Sequence, residues 1–237
     1  MSISTEWVTL EVADGAQMRA YVARPENWNG RGLSVYQEAF GVNAHIRDVT
    51  ERFAREGFLA VAPELFHRTG PGFEGDYGDF AAVMPHYQAL TDAGLAEDLL
   101  AAHAFLLAEK STKTACIGFC LGGKASFLAA AATPADCAVA YYGGGIAPNE
   151  RSKGLLDRAS EIKCPILMFW GGLDTHIPPE HYRAVEDALR AADKTYIQVV
   201  ISDAQHGFNC DARPSYNAEA STMAMALTKS FFDTHLA

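Results

Sequence analysis

The chain has 237 residues, with 29 acidic against 19 basic side chains and a net charge of −10 when histidine is neutral. No cluster of Lys and Arg and no basic helix occurs along it, which excludes a nucleic-acid surface, because phosphate binding needs grouped cations. At 49% hydrophobic residues, with its longest apolar run (Ala125 to Ala132) too short to span a bilayer, it reads as one soluble α/β domain over residues 1–237 with no membrane partner.

The start, Met1-Ser2-Ile3-Ser4-Thr5-Glu6, lacks the basic and apolar regions of a signal peptide. Cys116, Cys120, Cys137, Cys164 and Cys210 have no framework spacing, so free thiols in a reducing cytoplasm are expected. Cys-x-x-Cys, His-Glu-x-x-His and EF-hand patterns are missing, and neither a metal nor a cofactor is expected.

In chain order, Trp7 to Val12 and Met18 to Ala23 are β-prone runs around an Asp14-Gly15 turn, the pattern of a hairpin. After a Pro/Asn/Gly loop, Leu33 to Gln37 reads as an inner strand and runs into Glu38-Ala39-Phe40-Gly41-Val42-Asn43. From Asn43 the period becomes helical, with Ile46, Val49 and Phe53 on one face and Gly57 as the stop. Phe58 to Pro63 is a further buried strand. Residues 64–78 are loop-like, and helices follow over Asp79 to Tyr87 and Asp92 to Ala108. Thr114 to Phe119 is β-prone and Lys124 to Ala132 helix-forming. Strands are then predicted at Ala138 to Tyr142, Pro165 to Trp170 and Tyr196 to Ile201, with helices at Glu180 to Ala192 and Ala218 to His235. Eight strands alternating with helices argue for a mainly parallel central sheet covered on both faces.

Between the fifth strand and its helix stands Gly118-Phe119-Cys120-Leu121-Gly122. This has the G-x-S-x-G spacing of a nucleophile elbow, a sharp turn that presents one strained side chain, with sulfur in place of the hydroxyl. Glycine suits a turn where neighbouring backbone approaches too closely for a Cβ. The Leu121 N–H would sit at a helix N-terminus, where it stabilises negative charge, and the same field favours a thiolate at Cys120. A cysteine among glycines is also, more plainly, a small residue in a tight turn.

A thiol nucleophile needs a base, and the base needs a group to fix its tautomer. Cys120, Asp174 and His206 all fall just after predicted strands, where reactive groups gather in such sheets, and they follow the Ser…Asp…His order of α/β-hydrolases. A turn-forming Asp and a solvated loop His are the ordinary alternatives. His176 is expected as a neighbour of Asp174 in the same loop. Surface placement is expected for His45, His67, His86, His103, His181 and His235.

Taken together, Gln37-Glu38-Ala39-Phe40-Gly41-Val42-Asn43, Pro63-Glu64-Leu65-Phe66, Gly118 to Gly123, Tyr141-Tyr142-Gly143, the Gly171 to Asp174 turn and His206-Gly207-Phe208 resemble the dienelactone hydrolase (carboxymethylenebutenolidase) family over nearly the whole chain. The resemblance implies an α/β-hydrolase fold and a Cys120-His206-Asp174 triad. It also implies an accessory Glu38 that holds the resting thiol protonated until substrate shifts it. The oxyanion hole would be the N–H groups of Leu121 and Ala39, and the substrate a small lactone or ester. On its own position, Glu38 serves equally well as a structural hydrogen-bond acceptor.

The family's two carboxylate-binding arginines have no counterparts here. Cys210 stands four residues after His206, the next arginine downstream is Arg213, and residues 69–107 contain none. Arg68 is a candidate for substrate contact or a surface residue, and Phe40, Tyr142 and Phe208 are further contact candidates. Open alternatives are a carboxylesterase or thioesterase for an uncharged acyl group, and a non-catalytic thiol sensor or binding protein. A monomer or weak homo-oligomer is expected, and residues 64–90 are candidates for a lid.

Overall fold

In the computed structural model, which describes residues 1–150 and 152–237, the chain opens with the expected hairpin. Strand β1 (Ile3–Glu11) pairs antiparallel with β2 (Gln17–Pro25). The turn closes by Val12 and Gly15 amides bonding to Ala16 and Val12 carbonyls, and Gly15 takes φ +85°. Strands β3 (Arg31–Tyr36), β4 (Leu59–Pro63), β5 (Lys113–Phe119), β6 (Cys137–Tyr141), β7 (Ile166–Gly171) and β8 (Tyr196–Ile201) complete a sheet of order β1-β2-β4-β3-β5-β6-β7-β8. The β2–β4 pair is antiparallel, and β3–β4, β6–β7 and β7–β8 are parallel. The chain divides into two units, Met1–Cys116 and Ile117–Ala237.

Within the first unit, helix α1 (Ala44–Arg55) begins at Asn43, whose side chain accepts from the Ile46 amide. It buries Ile46, Val49 and Phe53, each such side chain worth about 1.5–3 kcal/mol. Helix α3 (Asp92–Ala108) starts at Thr91 and lays Ala102 and Leu106 against Met18, Ala20, Val22, Leu59 and Val61.

Between β4 and α3 the chain holds a largely exposed helix, α2 (Phe80–Ala89). This stretch is fastened to its own unit at many points. The Gly72 amide donates to Glu64 at 3.0 Å, Arg47 to Glu74 at 2.6 Å, Asn43 to Tyr77 at 3.0 Å and the Gly75 amide to the Phe40 carbonyl at 3.0 Å. The Phe40 ring lies 4.6 Å from that of Tyr77 and 5.3 Å from that of Phe80.

Surface placement fails for His45, His67 and His103, which are buried. The reason for His67 is a partner 31 residues away: its Nε2 lies 3.0 Å from Oδ1 of Asp98, which is fully buried on α3. An isolated carboxylate could not be buried there without such partners.

The second unit holds α4 (Leu121–Ala132), a 3-10 helix (Leu156–Glu161), α5 (Pro179–Ala191) and α6 (Ala218–His235). Strands β6 and β7 are buried along their whole length, as expected of strands covered on both faces. Nearly every residue of α4 is buried, and its run of alanines lets it lie close to β6. Among the described residues no helix is long and apolar enough to cross a membrane, and all five cysteines are free thiols.

Candidate active site

Strand β5 ends at Phe119, and α4 begins two residues later, so Cys120 alone makes the turn. It does so with φ 56° and ψ −112°, a strained combination for a residue bearing a Cβ. Three hydrogen bonds hold it there. Its amide donates to the Tyr141 carbonyl at 3.1 Å, and its own carbonyl accepts from the Gly123 and Lys124 amides at 2.9 and 3.3 Å. The tightness is steric as well, because a Cβ on Gly118 would lie 2.0 Å from the Gly122 carbonyl oxygen. Cys120 is half-buried rather than fully presented to solvent. Leu121 opens the first turn of α4, where a helix leaves its leading amides without an acceptor of its own.

Asp174 and His206 come together because the loops after β7 and β8 run backbone against backbone. The Gly172 amide donates to the Ile201 carbonyl at 2.7 Å and the Leu173 amide to the Ala204 carbonyl at 2.9 Å. A Cβ on Gly172 would meet Ser202 backbone at 2.6 Å. Asp174 Oδ1 accepts from the amides of His176 (2.8 Å) and Ile177 (3.1 Å), and its Oδ2 lies 2.7 Å from His206 Nδ1.

These contacts set the charges. Burial raises the Asp174 carboxyl, but the hydrogen bond and charge of His206, with the two amides, outweigh it and hold the group below the usual carboxylate range. Burial likewise disfavours a charged His206. The negative charge of Cys120 and hydrogen bonds to Asp174 and Cys120 overcome it and lift the imidazole to about 10. With Nδ1 taken by Asp174, Nε2 is the ring nitrogen left for the sulfur. The arrangement sets an imidazole that favours its charged form between a buried carboxylate and a thiol.

The dienelactone hydrolase family model matches residues 18–236. The chain belongs to the dienelactone hydrolase family. As a member it is a dienelactone hydrolase-like hydrolase with the α/β-hydrolase fold. Carboxymethylenebutenolidase from Pseudomonas sp. (strain P51) is 31% identical over 229 residues, 94% of this chain and 93% of that one. A provisionally named carboxymethylenebutenolidase from Escherichia coli O157:H7 is 39% identical over 221 residues, covering 87% of this chain and 78% of its relative. The crystal structure of a provisionally named dienelactone hydrolase from Klebsiella pneumoniae subsp. pneumoniae MGH 78578 superposes with TM-score 0.89 at 33% identity, covering 98% of this chain and 99% of the other.

The remaining candidates of this family member fall as follows. Glu38 and Ala39 lie just beyond β3 in the first unit, both buried. Phe40, Tyr142 and Phe208 are at most 1% exposed, which leaves no ring face open to a substrate in this conformation. Tyr142 and Phe208 pack instead on the histidine loop, with the Tyr142 ring 5.1 Å from His206 and 5.2 Å from Phe208. Arg68 is not a free cation. Its guanidinium donates to Asp14 at 2.7 Å and to Asp98 at 2.9 Å, within the first unit.

One neighbour has a closer relation to the site than its position in the sequence implies. The His176 ring stands edge-on to that of His206, 5.3 Å away, and partial desolvation on that side, together with the charges of His206 and Arg213, lowers its proton affinity. The Asp-x-His spacing is the only sequence signal for it.

Proposed function

We propose that this family member hydrolyses a small ester or lactone through Cys120, His206 and Asp174. The observation that supports this best is the 2.7 Å contact of His206 Nδ1 with Asp174 Oδ2, in the same unit as the strained turn at Cys120. The sulfur of Cys120 attacks the acyl carbon, forming a C–S bond while the carbonyl electrons move to oxygen. The Leu121 N–H stabilises that oxyanion. As the carbonyl re-forms, the bond to the leaving oxygen breaks, and His206 hands it the proton. An acyl-thioester and a neutral imidazole remain. Water then attacks with His206 as base, the C–S bond breaks, and acid and the thiolate–imidazolium pair are released.

A thiolate leaves a tetrahedral intermediate more readily than an alkoxide does, so an enolate or other stabilised leaving group suits this nucleophile. Enol-lactones and activated esters are the substrates to expect, as the name carboxymethylenebutenolidase suggests for the relatives. The family resemblance adds Ala39 as a second amide donor and Glu38 as the group that holds the thiol protonated until substrate shifts it, so that the thiolate–imidazolium pair is the reacting form and not the resting one. The experiment is turnover of an enol-lactone by wild type and Cys120→Ala, with mass spectrometry for an acyl adduct on Cys120. Activity surviving in the alanine variant would sink the proposal.

A carboxylesterase or thioesterase acting on an uncharged acyl group is the second reading. It is favoured by Arg68, whose pairing with Asp14 and Asp98 leaves it poorly placed to clamp a substrate carboxylate. Rates on neutral and carboxylate-bearing esters of one leaving group separate the two.

A further inference from the structure

Two non-glycine residues with left-handed φ stand near each other in the second unit, Cys120 at +56° and Tyr142 at +37°, the Cys120 amide bonding to the carbonyl just before Tyr142. The strain at Cys120 has an obvious purpose in presenting the sulfur. That at Tyr142 calls for its own explanation, since a glycine would adopt this backbone without strain. Tyr142 directly follows β6, and its amide donates to the Phe169 carbonyl at 2.8 Å. The preceding carbonyl, of Tyr141, receives the Cys120 amide, and Gly143 beyond it presses on Gly123. The bend thus occurs where the backbone is gripped on both sides. Its result is to turn the Tyr142 ring, fully buried, against His206 at 5.1 Å with the two planes tilted by 58°. Phe208 meets the same ring nearly perpendicularly at 5.2 Å and stops it from turning away.

We infer that Tyr142 is a positioning residue for His206: its ring, set by the bent backbone, fixes the plane in which the imidazole swings between Asp174 and Cys120. Asp174 holds Nδ1 and Cys120 the other side of the imidazole, and hydrogen bonds at the two ends of the ring leave it free to tilt about the line that joins them. The buried tyrosine ring at 5.1 Å restrains that tilt, with the His176 ring edge-on at 5.3 Å. An aromatic face beside an imidazolium also favours the charged form. The inference depends on Cys120 and His206 being the reacting pair. It moves Tyr142 from substrate contact, where its burial leaves it no open face, to support of the base.

The test compares wild type with Tyr142→Phe, which keeps the ring, and Tyr142→Leu, which removes it. Readouts are kcat and KM on an activated ester, and the pH dependence of Cys120 alkylation by iodoacetamide, with Cys120→Ala as blank. The leucine variant should lose about tenfold or more in kcat with KM within about twofold, and its alkylation profile should shift along the pH axis. The phenylalanine variant should stay within about threefold of wild type. A leucine variant with wild-type kcat and alkylation profile overturns the inference, as does a raised KM at unchanged kcat, or a phenylalanine variant as poor as leucine. Should the leucine variant not fold, NMR of the wild-type His206 ring decides: its ring protons must carry a ring-current shift and report one orientation, and their absence refutes the inference. Turnover that survives Cys120→Ala would instead refute the choice of nucleophile, a separable result.

Discussion

Gly118 and Gly122 touch backbone to backbone, so closely that a Cβ on Gly118 would lie 2.0 Å from the Gly122 carbonyl oxygen and 2.3 Å from its carbon. Neither partner is the tip of a flexible side chain that could move aside. Gly118→Ala should therefore cost at least about 3 kcal/mol in denaturant unfolding, or prevent folding, although it adds one methyl far smaller than many tolerated core changes.

Asp174→Asn keeps the shape of the loop but removes the charge that pairs with His206. A fall in kcat of about 10²- to 10⁴-fold is expected, read by steady-state kinetics on an activated ester. Retention of more than about a tenth of wild-type kcat would contradict a role in orienting and charging the imidazole.

The same pair predicts a pH dependence of stability. His206 is raised from 6.5 to about 10 on folding, so the folded state binds the proton more tightly. Its contribution is full below about 6.5 and declines as pH rises, being lost as pH passes through about 10. Asp174 has the opposite sign: its lowered carboxyl stabilises above 3.8 and loses that contribution as pH falls through its folded value. Melts of wild type and Asp174→Asn across the alkaline range should show a shallower decline in the variant.

Arg68 and Asp98 separate packing from substrate binding. Asp98→Ala strips the buried partner from both His67 and Arg68, and should destabilise by about 3 to 5 kcal/mol. Arg68→Gln should leave the ratio of kcat/KM for carboxylate-bearing and neutral esters within about twofold. A selective loss on the carboxylate ester would restore Arg68 as a substrate clamp.

Cys116, Cys137, Cys164 and Cys210 are buried, and burial lifts the Cys164 thiol to about 12. Iodoacetamide should thus modify Cys120 alone in the native protein and all five thiols after unfolding, as counted by intact-mass measurement.

Local chemistry made most of this fold readable. Among the described residues the eight strands and six α-helices fall where alternation, helical period and turn residues put them, down to the helical start at Asn43 and the Gly57 stop. The 3-10 helix Leu156–Glu161 was not legible, for six residues carry too little period to stand out from a loop. For the candidate site, the approach of Asp174 to His206 was visible from their places after neighbouring strands, because a parallel sheet gathers its strand ends. What depends on partners remote in sequence was hidden. Asp98 draws His67 into the interior and occupies Arg68, and the bend at Tyr142 turns a presumed substrate contact inward; no local pattern records either.

The bonds that fasten residues 64–90 carry a kinetic consequence. Arg47, Asn43 and the Phe40 carbonyl each grip this stretch from outside it at a different point, and Glu64 ties its start to Gly72, so a swinging flap would have to release the three outer bonds together. The stretch should act as fixed masonry rather than a door. Catalysis would then have no gate to wait for here, and the backbone protons of Gly72 and Gly75 should trade with deuterium no faster than those of the neighbouring helix α1.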